Sequence, residues 1–430
     1  MNKLLLGCIA DDFTGATDLA NNLVRAGMRV VQTIGVPTAP LDTSAHAVVV
    51  SLKSRTLPAA ESVAQSLEAL KWLQAQGAQQ IYFKYCSTFD STPDGNIGPV
   101  TEALMDALNC NFTIATPAFP DMGRKVFKGY LFVGDVLLHE SGMQHHPLTP
   151  MTDPNLVRVL QAQTRRKVGL VDHTTVAQGE VAIRARFAAL KADGVGVAIV
   201  DAVGNADLLR LGPALADMPL VTAGSGVAIA LPANAGLSPN RDAALLPAAS
   251  GLQAVLSGSC SRATNAQVAA FIASGRPALA LDPLRLSDDE NATVAAAVDW
   301  AVPQLQDGPV LVYSTAEPEA LKEVQARLGV HEAGAMVERA LGRIAQALVA
   351  HGVRQLVVAG GETSGAVVQA LGITQLRIGA QIDPGVPWCS AFVGETPLHV
   401  TLKSGNFGAE DFFTRAFAEL AKAQPAGSPQ

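Results

Sequence analysis

Aromatic rings and charges are both scarce in this 430-residue sequence: Phe, Trp and Tyr supply 5% of it, and Asp, Glu, Lys and Arg 16%. So few rings argue against an all-β sandwich, and a chain rich in Ala, Val, Leu and Gly suits α/β layers. An excess of basic charge is missing too. With 31 basic against 38 acidic residues the net charge is −7, so no large basic surface for nucleic acid is expected. The five cysteines, Cys8, Cys86, Cys110, Cys260 and Cys389, are scattered without a CxxC pair. That pattern gives neither a zinc ribbon nor a thioredoxin-type redox site, and implies reduced, mostly buried thiols. No window approaches the ~20 apolar residues of a membrane helix before charge or Pro interrupts it. The apolar run Leu4–Ala10 is short for a signal peptide. The expectation is a soluble, cytoplasmic protein.

Short apolar runs and amphipathic stretches alternate along the chain. Leu4–Ala10 reads as a buried parallel strand, because strands covered on both faces lose polar alternation. Ala16–Ala26 has helical spacing, with Asp12 or Thr14 to cap its start and Gly27 to end it. Further strands are read at Val30–Ile34, Ala47–Ser51, Gln80–Lys84, Thr113–Thr116, Val168–Val171, Val197–Asp201 and Leu220–Thr222, with helices at Ala60–Gln74, Ile97–Leu108 and Gly179–Lys191. The stretch Leu231–Gly251 holds three prolines and little periodicity, and reads as a linker. Strands at Gln253–Ser257, Val310–Ser314 and Gln355–Ala359, and helices at Ala263–Ala273, Gly334–His351 and Ser364–Leu371, follow it. At ~100–200 residues per domain, the length suits two domains. The reading is an α/β protein of two domains, 1–240 and 241–430, each a mostly parallel sheet with flanking helices.

Polar residues cluster where strands end. Asp11 and Asp12, in Ile9–Asp18, form an acidic pair at the end of the first strand, where α/β enzymes bind ligands. A carboxylate there can take a proton from a substrate hydroxyl or hold a metal ion through water; the plainer reading is helix capping by Asp12 or Thr14, with Asp18 compensating the helix dipole. Lys53 and Arg55 follow the strand Ala47–Ser51, and Lys84, Asp90 and four Ser/Thr hydroxyls follow the next. Cations suit a carboxylate ligand and hydroxyls a polyol. In the second half, Ala359–Gly365 runs from a strand through Gly360, Gly361, Glu362 and Thr363 into a helix, as phosphate binding requires. It is neither a Walker A motif nor a complete GxGxxG. Leu256–Ser261 and Leu402–Gly408 are two more strand-to-loop turns of small residues, the latter with Lys403 beside it. Three such loops point to a nucleotide cleft. His139, His145 and His146 lack carboxylates at metal-ligand spacing. No metal-ligating residue is assigned.

These motifs carry a resemblance. ADDFTGATD (Ala10–Asp18), KYCSTFDST (Lys84–Thr92), GNIGP (Gly95–Pro99), GYLFVGD (Gly129–Asp135), LSGSCS (Leu256–Ser261), AGGETSG (Ala359–Gly365), PGVPW (Pro384–Trp388) and LKSGNFG (Leu402–Gly408) resemble, in order and over essentially the whole chain, the four-carbon acid sugar kinases. KYCSTFDSTPDGNIGP and HPLTPMTD (His146–Asp153) are most similar to the branch acting on 3-oxo-tetronate. The resemblance implies a sugar-acid-binding first domain, a nucleotide-binding second domain and an active site in the cleft between them. It matches Ser259, Gly360, Gly361, Glu362, Thr363 and Gly405 to ATP-binding positions, with Ser257 the alternative to Ser259. Both lines together give the expected chemistry: ATP with Mg²⁺, a substrate held by Thr14, Arg55, Lys84 and Asp90, and in-line attack by its C4 hydroxyl with Asp12, or else Asp11, as base. The expected partners are the sugar acid and ATP, with no nucleic acid and no membrane; a homodimer is left open. D-threonate or D-erythronate are alternative substrates. A nicotinamide-dependent oxidoreductase or a non-catalytic sugar-acid sensor are more distant alternatives.

Overall fold

Strands form where short, β-branched apolar runs stop at polar residues, and this happens at the same level in neighbour after neighbour. The computed structural model describes residues 4–38, 45–146, 148–315, 326–327 and 329–423. Pro147, inside the HPLTPMTD motif, lies outside the described residues. The chain divides into two compact units, Met1–Ala244 and Leu245–Gln430.

In the first unit the strands are β1 (Leu6–Ala10), β2 (Val30–Ile34), β3 (Ala47–Ser51), β4 (Gln80–Lys84), β5 (Thr113–Thr116), β6 (Arg124–Phe127), β7 (Tyr130–Val133), β8 (Val136–Leu137), β9 (Lys167–Val171), β10 (Val195–Val200) and β11 (Leu220–Ala223). The main sheet has the order β2-β3-β1-β4-β11-β5-β10-β9, every neighbouring pair parallel. Its crossover helices include α1 (Phe13–Arg25), α2 (Ala59–Ala75), α3 (Ile97–Ala107), α4 (Leu156–Gln163), α5 (His173–Ala177), α6 (Glu180–Ala192) and α7 (Asn205–Leu211). Helix α1 forms because Ala16, Leu19, Ala20, Leu23 and Val24 recur on one buried face, and Asp12 caps it by accepting from the Gly15 amide. Just beyond its end, Gly27 takes φ +106°, which a side chain rarely adopts. Strands β6, β7 and β8 form a separate antiparallel sheet.

In the second unit the strands are β12 (Leu252–Ser257), β13 (Ala278–Ala280), β14 (Val310–Tyr313), β15 (Val353–Ala359), β16 (Gln375–Asp383), β17 (Val386–Val393) and β18 (Thr396–Lys403). They run β13-β14-β12-β15-β18-β17-β16; the first five are parallel and the last two pairs antiparallel. Helices α8 (Arg262–Ala273), α9 (Pro283–Asp288), α10 (Glu290–Gln304), α11 (Val330–Ala350), α12 (Gly361–Ala370) and α13 (Phe412–Lys422) complete it. Trp388, Phe412, Phe413 and Phe271 are buried in one cluster with Val255 and Val357, and Trp388 Nε1 donates to Ala416 O at 2.8 Å. Burying each such ring stabilises the unit by roughly 1.5–3 kcal/mol.

The α/β reading with two mostly parallel sheets holds. The sequence pattern does not reveal the β16–β18 hairpins, because Pro387 and Pro397 sit inside them and Pro normally marks a strand as interrupted. Among the described residues no helix is long and apolar enough to cross a membrane. Cys8, Cys110 and Cys389 are buried, Cys86 and Cys260 half-buried, and all five are free thiols.

Candidate functional site

Parallel register brings three strand ends of the first unit into one row. Ala10 of β1 pairs with Ser51 of β3 on one side and with Lys84 of β4 on the other. The chain beyond Ser51 folds back so that the amides of Ser54 and Arg55 both donate to Asp11 O, at 2.9 and 3.1 Å. Asn96 pins this loop by donating to Ser54 O at 2.9 Å and to Arg55 O at 3.0 Å. The side chains then meet. Arg55 grips Asp11 through Nε and Nη2, each 2.9 Å from a carboxylate oxygen. Its Nη2 also bonds Asp12, and its Nη1 lies 3.9 Å from Asp90. Thr88 donates to Asp90. Thr14 donates to Asp12 Oδ2 at 3.0 Å.

Asp11, Asp12, Thr14, Arg55, Lys84 and Asp90 therefore fall in one connected set. Lys84 differs from Arg55 in one respect: it is buried, yet its Nζ stands 3.6 Å from Asp12 Oδ1, too far for a hydrogen bond. Arg55 already serves three carboxylates, so Lys84 is the cation with donors to spare. Helix α1 crosses directly above it at Gly15, where a Cβ would overlap Lys84 Nζ and Asp12 Oδ1.

The two adjacent carboxyls are driven apart electrostatically. Burial pushes the Asp11 carboxyl up despite the Arg55 fork. Burial also acts on Asp12, but Arg55, Lys84, the Gly15 amide and the Thr14 hydroxyl outweigh it and hold that carboxyl far below the usual range. Asp12 thus stays ionised, and its side chain is 24% exposed against 5% for Asp11. Of the pair, only Asp12 is open to a ligand.

Capping and charge pairing coexist at Asp12, so the two readings of the acidic pair are not exclusive. The sequence casts Asp18 as compensating the helix dipole. It is instead buried near Lys84 and Asp12, pushed up to about 6 by desolvation, with Oδ1 lacking a hydrogen-bond partner. Its place within ADDFTGATD is the only signal that could have marked it. Phe89, between Thr88 and Asp90, is buried at φ +54° and packs edge-on to Tyr85 at 5.3 Å. That strained residue turns the loop so that Asp90 returns toward Arg55.

The second unit repeats the device. Ser257 pairs with Ala359, and Ala359 with Lys403, so three loops leave neighbouring strands at one level. Gly360 takes φ +122°, and a Cβ there would lie 2.8 Å from Thr363 Oγ1 and 3.2 Å from the Ser259 amide. A Cβ on Gly405 would lie 2.5 Å from Ser259 Oγ. Ser259, Gly360, Thr363 and Gly405 are therefore neighbours, with Gly361 and Glu362 exposed on the first turn of α12. No side chain caps that turn, which leaves a helix N-terminus of the kind that binds anions. The serines separate by environment. Ser257 is buried on Thr315 Oγ1 at 2.7 Å, and Ser261 caps α8 and donates to Gly405 O at 2.6 Å. Ser259 is half-buried like Ser261 but caps no helix, its Oγ accepting from the Ser261 amide at 3.3 Å.

Two family profiles match the chain: a sugar-binding N-terminal domain over residues 6–231 and a nucleotide-binding C-terminal domain over 254–413. The chain belongs to this two-domain family. It is 60% identical to a protein of Cupriavidus necator and 59% identical to one of Pseudomonas fluorescens, both named 3-oxo-tetronate kinase. These alignments cover 97% and 98% of this chain, and 98% of each relative. Among solved structures, a Salmonella typhimurium LT2 protein given the provisional description of a tRNA synthase superposes with a TM-score of 0.90. It is 47% identical, over 97% of this chain and 99% of that one.

Proposed function

We propose that this protein is a kinase that transfers the γ-phosphoryl group of ATP to the C4 hydroxyl of 3-oxo-tetronate. The observation that carries the substrate is the near full-length identity to relatives named for it; the geometry supplies the roles. Residues 1–240 bind the sugar acid and residues 241–430 the nucleotide. A nucleic-acid substrate is disfavoured by the net charge of −7.

In the first unit, Lys84 and the outer edge of Arg55 hold the substrate carboxylate, while Thr14 and Asp90 orient its oxygens. Asp12 accepts the proton of the attacking hydroxyl. A strongly ionised carboxylate is a weak base, but phosphoryl transfer has a loose transition state in which orientation and charge matter more than early proton removal. Asp11, with both oxygens on Arg55, fixes the arginine. In the second unit, the amides of the Gly360–Thr363 turn cradle the phosphates, with Ser259 and Gly405 closing the loop side. Glu362, exposed on this turn, would help to hold the Mg²⁺ that accompanies ATP. That ion would neutralise charge on the transferring phosphoryl group.

ADP release measured with 3-oxo-tetronate, D-threonate and D-erythronate tests the proposal. The highest kcat/KM is expected for 3-oxo-tetronate. A preference for either reduced acid moves the substrate within the class, and ADP release with none removes the kinase reading.

A further inference from the structure

Lys403 closes β18 completely buried, beside the loop that carries Gly405. Its ammonium donates to Thr264 Oγ1 at 3.1 Å and to the carbonyls of Ser404 and Gly405, both at 3.0 Å. Those contacts use all three ammonium protons, and every acceptor is neutral. The Gly405 carbonyl also accepts from Ser261 Oγ at 2.6 Å and Thr264 Oγ1 at 2.9 Å. Three donors thus turn one carbonyl inward and fix the loop against the start of α8.

A buried ammonium normally has a carboxylate partner, because hydrogen bonds to neutral groups recover only part of its hydration. Around Lys403 the ionisable groups are few. The start of α8 brings the half-buried Cys260 thiol and the exposed Arg262; α12 brings the exposed Glu362. Ser404–Gly408 carries no ionisable side chain, and neither does Ala359, the strand neighbour of Lys403 on β15. Among the described residues no carboxylate forms an ion pair with Lys403.

We infer that Lys403 is a positioning residue for the nucleotide: it holds the Gly405 carbonyl inward, so that the loop presents its outer side to the phosphates, and bound phosphate supplies the countercharge it lacks. The inference rests on the second unit being the nucleotide-binding one. Its pH signature follows from the burial, which pushes the free lysine down to about 7. Above that value the ammonium is lost unless an anion holds the proton, so nucleotide binding takes up a proton.

ADP affinity of the full-length protein from pH 7.5 to 9 tests this, since the last ionisation of ADP lies below that range. The dissociation constant is expected to rise with pH, approaching about tenfold per unit. In Lys403→Met it is expected to be about tenfold weaker at pH 7.5 and flat with pH, which also separates Lys403 from the Cys260 thiol. A flat wild-type profile, or a folded Lys403→Met with wild-type affinity and slope, overturns the inference. Should Lys403→Met not fold, calorimetry of the wild type in two buffers of different ionisation heat decides: uptake of close to one proton at pH 8 supports the role, and no uptake overturns it. Failure of the wild type to bind ADP at any pH would instead remove the nucleotide reading itself.

Discussion

Arg55 and Asp11 form a fork in which Nε and Nη2 each stand 2.9 Å from a carboxylate oxygen. The acid is buried, so the pair is a structural commitment as well as part of the site. Arg55→Met would leave Asp11 as an uncompensated buried charge, expected to lower stability by about 3–5 kcal/mol at pH 7. Because burial already raises Asp11, the variant should recover stability as the pH falls and the acid is neutralised. Urea melts at pH 7 and pH 5 check this; an equal loss at both would show that the charge of Asp11 is not what Arg55 compensates.

Asp12→Asn separates capping from catalysis. Asn is as good an N-cap as Asp, so α1 should keep its start. If Asp12 receives the hydroxyl proton, kcat should fall by about 10²–10⁴-fold, with ADP affinity unchanged. Steady-state kinetics beside ADP calorimetry tells them apart. Near-normal kcat would rule out the base role for Asp12, and Asp11 could not take it over with both oxygens held by Arg55.

Gly15→Ala sets helix propensity against the site. Ala is favoured over Gly inside a helix by about 1 kcal/mol, yet its Cβ would overlap Lys84 Nζ and Asp12 Oδ1. Lys84 must therefore move, and the KM for the sugar acid should rise by at least about tenfold with the KM for ATP unchanged. Unchanged acid KM would argue that Lys84 does not touch the substrate.

Asp18 gives a pH dependence of stability with a definite sign. Its carboxyl is raised from 3.8 to about 6 by burial, so the folded state holds the proton more tightly than the unfolded one. That contribution is complete below pH 4 and is lost as the pH rises through 6. Asp18→Asn removes the loss. Relative to wild type it should gain roughly 2–3 kcal/mol between pH 4 and pH 7.5. Thermal melts across that range measure it, and a constant difference would mean that Asp18 does not titrate there.

Much of this arrangement was legible in the sequence, for physical reasons. Ala10, Ser51 and Lys84 end strands whose apolar runs stop abruptly, so alternation of strands and helices placed Asp11, Asp12, Arg55 and Lys84 along one sheet edge. What could not be read is which donors each side chain has left. Arg55 looks the better carboxylate ligand by type, but its fork is filled by Asp11 and Asp12, and Lys84 keeps its donors. Sequence alone assigns Asn96 no role and Asp18 only a dipole-compensating one, because a lone Asn or a helical Asp carries no periodic signal; burial is what gives them meaning. Lys403 was visible merely as a lysine beside a glycine loop, since its three neutral acceptors come from residues up to 139 positions away. Strands β17 and β18 were hidden by Pro387 and Pro397.

The most direct measurement on the central claim is the position of the phosphate in the product. With 3-oxo-tetronate and ATP, phosphorus–proton correlation NMR should show phosphorus coupled to the C4 methylene protons, formed in step with ADP. ADP released without an organic phosphate, or phosphorus coupled to the C2 proton instead, would contradict the account.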